Sequence, residues 1–204
     1  MVIRQLAPQW IDGAVALQSA CFPPPFDPGL LWNHAHLDRH IAIFPEGQFV
    51  ATEDDVVVGS ATSLIVSEPT WIKHGDWEST VGGHYLAGHD DRGSTLYGVD
   101  VSVHPDHRGK GVGRKLYEAR FGLLRARGLA RFGTACRIPD WRLWAARSGS
   151  ADQRVYVDSV LRGDTIDRTL TPLLRYGLRF VELIQDYMED EESGNAAALL
   201  EWTP

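Results

Sequence analysis

The chain has 204 residues, of which 44% are apolar, and this is enough to fill one hydrophobic core. Its formal net charge of -7 argues against nonspecific nucleic-acid binding, which depends on positive charge. The N-terminus lacks a basic leader with an apolar run, and no window approaches the length of a membrane span. We therefore expect a cytoplasmic protein that binds neither nucleic acid nor membrane.

Cysteine and histidine usage argues against a metal site. Cys21 and Cys136 are far apart, and the histidines match no metal-ligand spacing. We expect reduced thiols, surface histidines and no metal. The acidic balance is compatible with a cationic amine as substrate.

The first part of the chain shows the spacing of short strands and amphipathic helices. A Pro-rich stretch over 21–28 should end the first helix, and Asp54 and Asp55 should form a hairpin turn. The predicted elements are a strand at 2–6, a helix from Pro8, a helix over 28–40 and strands over 48–53 and 56–66.

The middle of the chain contains a strand, a glycine-rich loop and a helix. Residues 96–103 form an apolar, β-branched run bounded by Pro105, which is typical of a buried strand. The loop has glycines at alternate positions, and Gly128 should end the helix. The helix should place Val112, Leu116, Ala119, Leu123 and Ala126 on its apolar face. Its polar face should carry Arg114, Lys115, Glu118, Arg120 and Arg125.

The glycine-rich loop has the properties of a phosphate site. The first N–H groups of a helix lack intrahelical partners, and the helix dipole makes that end positive. Glycine lets an anion approach the backbone, and Arg108 and Lys110 add charge. A P-loop and a dinucleotide fingerprint both fit the spacing less well. A turn without a ligand is the alternative.

The sequence VHPDHRGKGVG, from Val103 to Gly113, resembles the acetyl-CoA-binding motif of GNAT superfamily N-acetyltransferases. The core of that motif is Arg/Gln-x-x-Gly-x-Gly/Ala, which Arg108, Gly111 and Gly113 match. HDDRGSTLYGVDVSVHPDHRGKGVG, RIPDW, YVDSVLRGDTID and DYMEDEESGNAAALLEW resemble a bacterial branch often fused or adjacent to carbon–nitrogen hydrolases. These matches cover roughly the last two-thirds of the chain.

The resemblance implies the fold and the donor site. The fold would be α+β, a mixed, mostly antiparallel sheet of about seven strands with helices on both faces, in a single domain over 1–204. Acetyl-CoA would be the co-substrate, with its pyrophosphate on backbone N–H groups and its pantetheine arm paired with a strand. The implied cofactor-binding residues are Val101, Ser102, Val103, Arg108, Gly109, Lys110, Gly111, Val112, Gly113 and Arg114.

Asp100 is the candidate general base. An unpaired carboxylate inside an apolar strand is costly, which indicates a specific role. It could deprotonate an amine directly or through water, or it could instead pair with an arginine or cap a backbone group. Tyr97 and Glu46 are further candidates for the base. The thioester carbonyl would be polarised by a backbone N–H at Val101 or its neighbour.

At the position where many family members carry the general acid, this sequence differs from the family pattern. The tyrosine that many members carry in the last helix is replaced by Leu173, which has no proton to give. Tyr156 is the candidate substitute, with packing as the alternative, and Cys136 or water is also possible. Pro172 suggests that the last helix begins there with Thr171 as N-cap.

The insertion over 137–164 is too long for a plain connection and should contain a helix. Ser150 and Gln153 would form its capping box. Trp141 and Trp144 could wall the acceptor pocket or simply pack. The remaining predictions are a loop over 71–94 on the site side of the sheet, a solvated or substrate-attracting acidic run over 189–192, and strands at 130–136, 180–184 and 196–202.

The sequence therefore predicts an enzyme that moves an acetyl group from acetyl-CoA to a primary amine of a small molecule or peptide. The amine would attack directly in a ternary complex. A non-catalytic acyl-CoA-binding module, a thioester hydrolase and an O-acyltransferase are the alternatives, and a homodimer is possible.

Overall fold

The computed structural model describes residues 1–24, 26 and 28–204. The strands in this part are β1 (Val2–Gln5), β2 (Gln48–Glu53), β3 (Val56–Val66), β4 (Thr95–Val103), β5 (Arg131–Arg137), β6 (Arg179–Ile184) and β7 (Ala197–Trp202). The helices are α1 (Ile11–Cys21), α2 (His34–Ile43), α3 (Glu68–Lys73), α4 (Trp77–Val81), α5 (Val112–Arg127), α6 (Trp141–Ser148), α7 (Gln153–Arg162) and α8 (Leu170–Arg175).

The described strands form one sheet in the order β1-β2-β3-β4-β5-β7-β6. Only the β4–β5 pair is parallel within this sheet, and the other neighbours are antiparallel. Successive side chains of a strand point to opposite faces. Val50 and Val57 accordingly pack with α1 and α2, whereas Ala51 and Val58 pack with α5. A mostly antiparallel sheet covered on both faces confirms the predicted fold class.

The two parallel strands separate soon after they meet. Their register covers only Thr95–Tyr97 of β4 against Arg131–Gly133 of β5. On its other edge, β4 pairs with β3 as far as Val103, with a bulge where Val99 lacks a β3 partner. The gap between the strands opens from Gly98 onward, and the Thr134 hydroxyl donates to the Gly98 carbonyl across its start at 2.8 Å.

Several predicted elements are confirmed. The hairpin turns at Asp54 and Asp55, whose φ values of 50° and 58° suit a tight turn of this kind. Helix α1 ends at Cys21, as the Pro-rich stretch predicts. Within that stretch, Pro25 and Asp27 lie outside the described residues.

Two predictions in the first half were wrong. Helix α2 begins at His34 rather than at residue 28, because the Asn33 side chain caps it by accepting from the His36 N–H at 3.0 Å. The segment predicted as a loop over 71–94 contains the second half of α3 and all of α4. Ser67 and Asp76 cap these two helices.

The insertion does contain a helix, but its cap was predicted wrongly. Asp152 caps α7 by accepting from two backbone N–H groups, at 2.8 and 3.2 Å. Ser150 accepts from the Asp152 N–H instead. Asp152 lies next to the first helical residue, so its carboxylate reaches the free N–H groups that the Ser150 hydroxyl cannot.

Helix α8 begins before the predicted start. The buried Asp167 carboxylate accepts from the N–H groups of Thr169 and Leu170, each at 2.8 Å. The Thr171 hydroxyl accepts from the Asp167 N–H at 2.9 Å, so it closes the turn and is not the N-cap. Pro172 then lies in the first turn, where a missing N–H costs little.

The polar face predicted for α5 was wrong at one position. Arg120 is 1% exposed and lies against the sheet with Tyr117 and Phe121. The buried face of α5 therefore follows its aromatic residues, which pack on Phe132 of β5.

At Gly98, where β4 and β5 begin to separate, there is no room for a side chain. A Cβ on Gly98 would lie 2.6 Å from the Phe132 ring and 3.2 Å from Arg120 Nη1. We expect Gly98→Ala to lower the free energy of unfolding by about 1–3 kcal/mol, measured by denaturant titration. Gly122→Ala is the control, because a Cβ there meets no described atom within 4 Å in an exposed helical position. It should raise stability by about 0.5–1 kcal/mol. Equal stability of the two variants would contradict the packing at Gly98.

Candidate active site

The N-terminus of α5 forms an anion site from backbone alone. Gly109 and Gly111 have φ values of 73° and 82°, which favour glycine, and Gly111 is the N-cap. No side chain of the described residues caps the helix, so its first N–H groups remain available to a ligand. Lys110 and Arg114 are exposed beside them. The 16-residue helix thus presents a positive end with open N–H groups.

The edge of β4 that faces the gap can accept an added strand. From Gly98 to Val103 this edge has no register partner on β5 in the described chain. The Val103 carbonyl accepts from Arg108 Nε at 3.1 Å and from the Cys21 thiol at 3.3 Å. An extended ligand with amide groups could pair along Val101 and Val103 and lead from the anion site into the gap.

A cavity of about 410 Å³ lies where the gap opens. Val99 and Asp100 of β4 and Ala135 and Arg137 of β5 contribute to its lining. The other walls come from the end of α1 with the segment after it, from residues 76–84, and from the connection between β6 and β7. Those walls include Gln18, Phe22, Trp32, Trp77, His84, Asp186, Tyr187 and Glu189.

Asp100 is held in the cavity wall by hydrogen bonds. Its Oδ2 atom accepts from Gln18 Nε2 and from the Ser102 hydroxyl, both at 3.2 Å. Gln18 Nε2 also donates to the Ser102 hydroxyl oxygen at 3.0 Å, which makes the three side chains one network. Burial raises the pKa of Asp100, although the Arg120 guanidinium and these donors partly oppose the shift. The carboxylate is therefore fixed in orientation and more basic than an ordinary aspartate.

Arg120 lies beneath the bulge and is a residue that the sequence analysis placed wrongly. Its Nη2 donates to the Thr62 carbonyl at 2.7 Å and also to the Asp100 carbonyl. These carbonyls belong to β3 and β4, so one guanidinium joins the two strands where the register shifts. Its Nε is buried with no partner in the described chain. An arginine within an otherwise apolar helical face is the sequence feature that could have indicated this role.

The structure does not bring Tyr156 to Asp100. Tyr156 is fully buried, and its hydroxyl donates to Asp167 Oδ2 at 2.7 Å. Burial, followed by the Asp167 carboxylate, raises its pKa far above the ordinary value. It does not contribute to the described lining of the cavity. Its role as general acid stays a prediction, and Asp167 gives it a structural partner that the sequence analysis missed.

The other predicted pocket residues lie in packing positions. Trp141 and Trp144 pack on the core, with Trp144 5.3 Å from the Tyr156 ring between centroids. Leu173 is buried in the same cluster. Cys136 is also buried there, which raises the pKa of its thiol well above the ordinary value. None of the four is in the described lining of the cavity.

The remaining candidates for a base are engaged elsewhere. The Tyr97 hydroxyl is buried and lies 2.9 Å from the hydroxyl of Tyr187, which lines the cavity. Burial raises the pKa of Tyr97 to about 12, so it stays protonated at neutral pH. Glu46 forms an ion pair with Arg127. Among these acids and phenols, Asp100 alone is both basic and in the cavity wall.

The residues of the acidic run over 189–192 lie in two different environments. Glu189 and Asp190 line the cavity. Glu191 pairs with Arg142 at 2.9 Å, and Glu192 pairs with Arg168 at 2.7 Å. One half of the run therefore faces the cavity and the other lies in surface ion pairs, and attraction of a cationic substrate stays a prediction.

The residues missed by sequence reasoning come from distant segments. Gln18 lies 82 positions before Asp100, and Trp32 is in the segment after α1. Gln18 is a polar residue on the buried side of α1, and this was the available indication.

Among the described residues, no three His, Cys, Asp or Glu side chains are arranged to hold a metal ion. None of the described helices is long and apolar enough to cross a membrane.

Comparisons with known proteins agree with this geometry. The model of the acetyltransferase (GNAT) family matches residues 11–148. The chain is 36% identical over 203 residues to the uncharacterized N-acetyltransferase YkwB of Bacillus subtilis (strain 168), covering 99% of this chain and 88% of that protein. The chain therefore belongs to the GNAT family of acetyltransferases, which confirms the resemblance seen in the sequence.

Two further similarities involve proteins with other named activities. The probable hydrolase YhcX of the same bacterium is 32% identical over 203 residues, which is 99% of this chain but 38% of that protein. The GphF GNAT-like decarboxylase, solved in complex with isobutyryl-CoA, superposes with a TM-score of 0.85 at 24% identity, covering 100% of this chain and 99% of that one. At that identity the likeness concerns the fold.

The buried guanidinium should be a large contributor to stability. We expect Arg120→Met to lower the free energy of unfolding by about 3–5 kcal/mol, because two backbone carbonyls lose their donor and Asp100 loses its nearby cation. Denaturant titration measures the loss. Arg125→Met on the same helix is the control. Arg125 is exposed over the Trp202 ring, and its loss should cost at most about 1 kcal/mol. A cost for Arg120→Met no greater than that of the control would contradict the role given to Arg120.

Proposed function

We propose that the chain transfers an acetyl group from acetyl-CoA to a primary amine of a small molecule or peptide. The observation that carries this proposal is the position of Asp100. Its basic carboxylate lines a cavity that opens where β4 leaves β5, along the strand that leads to the anion site. Donor and acceptor would thus meet in one gap.

The donor half would use the start of α5 and the free edge of β4. The N–H groups from Gly109 to Arg114 would hold the coenzyme A pyrophosphate, with Arg108 and Lys110 adding charge. The pantetheine arm would pair with Val101 and Val103, with Ser102 between them. Isobutyryl-CoA in the GphF complex is an acyl-CoA bound to a protein of this fold, which supports such a donor.

The transfer would proceed by direct attack. Asp100 would accept a proton from the ammonium of the acceptor, directly or through one water. The amine nitrogen would then bond to the thioester carbon, and the backbone N–H at Val101 would stabilise the oxyanion. Collapse of that intermediate would break the C–S bond and release the coenzyme A thiolate. The nitrogen would lose its second proton to water as the neutral amide forms, and the thiolate would take up a proton. Tyr156 is the predicted source of that proton, with water as the alternative.

The charge of the cavity favours an amine over an acid. Asp76, Glu78, Asp186 and Glu189 line it together with Asp100. A carboxylate on the acyl group, as a decarboxylase would need on its substrate, would be repelled by these side chains. A base fixed toward a cavity also distinguishes an enzyme from a module that only binds acyl-CoA.

Acetyl-CoA binding should depend on Gly111. We expect Gly111→Glu to raise the dissociation constant of acetyl-CoA at least about tenfold in calorimetric titration, because it places a carboxylate at the anion site. Gly163→Glu is the matched control. Gly163 has the same φ of 82°, and a Cβ there also meets no described atom within 4 Å. Both variants should lose about 1–2 kcal/mol of stability, while only the first loses affinity. Equal affinity of the two variants would contradict the anion site.

The pH dependence should report Asp100. Because its pKa is raised, kcat/KM should fall as the pH drops through a value above the ordinary aspartate range, where the carboxylate becomes protonated. Asp100→Asn should lower kcat about 10²-fold or more and should abolish the fall of kcat/KM at low pH. Both are measured by thiol release from acetyl-CoA with an amine present.

Asp38→Asn, an exposed position on α2, is the control and should keep both rate and profile. Unchanged turnover of Asp100→Asn would refute its assignment as base. Thiol release that needs no amine would instead support the hydrolase alternative.

A further inference from the structure

Gln18 is a buried amide in the wall of the cavity that contains Asp100. Its side chain lies on the buried side of α1 and is 3% exposed, yet it contributes to the lining of the cavity. A carboxamide has a nitrogen that donates hydrogen bonds and an oxygen that accepts them. Because a buried polar group is costly unless it is paired, both ends of this amide need a partner.

The nitrogen end of the amide is fully used within the protein. Nε2 donates to Asp100 Oδ2 at 3.2 Å and to the Ser102 hydroxyl oxygen at 3.0 Å, and it has two hydrogens. The Ser102 hydroxyl gives its own hydrogen to Asp100 Oδ2 at 3.2 Å. An ionised carboxylate can only accept, so the Gln18 atom that faces these two groups has to be the nitrogen. The orientation of the amide is thereby fixed.

The oxygen end has no partner within the protein. Gln18 Oε1 accepts no hydrogen bond from the part of the chain that the structure describes. It is not sealed off from solvent, in contrast to the enclosed and unpaired Oε1 of Gln48. Because the Gln18 side chain is almost entirely buried and lines the cavity, the cavity is the side from which Oε1 can be reached. Gln18 thus offers an oxygen to a molecule in the cavity.

This oxygen lies beside the proposed base. Oε1 and Nε2 share one carbon, and Nε2 is 3.2 Å from Asp100 Oδ2, so one ammonium group can contact both oxygens. A primary ammonium has three N–H groups and can donate one to Asp100 and another to Oε1. An alcohol has a single O–H. If that hydrogen goes to Asp100, the lone pairs of the alcohol oxygen face those of Oε1 and are repelled.

We propose that Gln18 Oε1 binds the nitrogen of the acceptor and thereby selects an amine over an alcohol. The contact would last through the transfer, because the amine still has two hydrogens after Asp100 has taken one. The inference rests on the proposed amine transfer. It adds a residue that determines specificity and that acts against O-acyl transfer.

Pairs of molecules with equal shape test this contact. The pairs are pentylamine with pentanol and benzylamine with benzyl alcohol. Thiol release from acetyl-CoA gives the KM of each amine, and competition with the amine gives the inhibition constant of each alcohol. Gln18→Met removes Oε1 with little change in side-chain volume. We expect the ratio of the alcohol constant to the amine KM to fall at least about tenfold, because only the amine loses a hydrogen bond.

The effect of Gln18 on Asp100 is kept apart by the choice of pH. Burial raises the pKa of Asp100, and the Gln18 amide is one of the donors that lower it. Loss of that donor therefore raises the pKa further. All constants are compared at a pH above the acid fall of kcat/KM of each protein. Gln9→Met makes the same exchange at an exposed position and should leave the ratio unchanged.

Gln18→Glu is the second variant. Its protonated oxygen would donate to Asp100 as Nε2 does, and its other oxygen would accept from the amine. The ratio should therefore stay within about threefold of the value in the unaltered protein.

The outcomes separate this contact from the proposed transfer. An equal change of both constants in Gln18→Met, or no change, would overturn the contact and leave amine transfer standing, since Gln18 would then only hold Asp100 in place. A fall of the ratio by about tenfold in Gln18→Glu would also overturn it, whether or not Gln18→Met folds. Bound acetyl-CoA without thiol release that depends on either amine would contradict the proposed transfer itself, and the contact with it.

Discussion

The divergence of β4 from β5 is the constraint on which the rest of the site depends. Two parallel strands that share a register over only three residues each leave an edge of unpaired N–H and C=O groups. Such an edge must be satisfied by other groups. Thr134 satisfies the Gly98 carbonyl, and Arg108 with Cys21 satisfies the Val103 carbonyl. Between them, the Asp100 carbonyl accepts from Arg120, and the edge has no register partner on β5 in the described chain, so the cavity opens beside an edge that can accept a ligand.

Arg120 couples the shape of this gap to the chemistry within it. The guanidinium joins β3 to β4 at the bulge, and the residue that follows the bulge is Asp100. Burial raises the pKa of that carboxyl, and the positive charge of Arg120 lowers it. The proton affinity of the proposed base is thus a balance of two effects, and the buried cation that shapes the strand also limits how basic the carboxylate becomes.

The two halves of the site have different origins in the chain. The donor half comes from one continuous segment, in which a strand, a glycine loop and a helix follow one another. The acceptor half is assembled from α1 and the segment after it, from residues 76–84 and from the β6–β7 connection. The backbone hydrogen bond from Trp77 to Tyr187 shows how such distant segments are joined.

This difference explains what could be predicted from the sequence. The Gly111 loop and the Asp54–Asp55 turn follow from local spacing and backbone preference, which neighbouring residues determine. The sheet with helices on both faces was implied by the resemblance to the family. Asp100 stood out because a carboxylate in an apolar strand is costly wherever it is placed. Only the tertiary structure decided that Arg120 is buried, that Tyr156 binds Asp167 and that Gln18 orients a carboxylate 82 residues away. In each of these contacts, the packing of helices on the sheet determines which side chains meet. A local sequence pattern does not indicate which distant residue a side chain will contact.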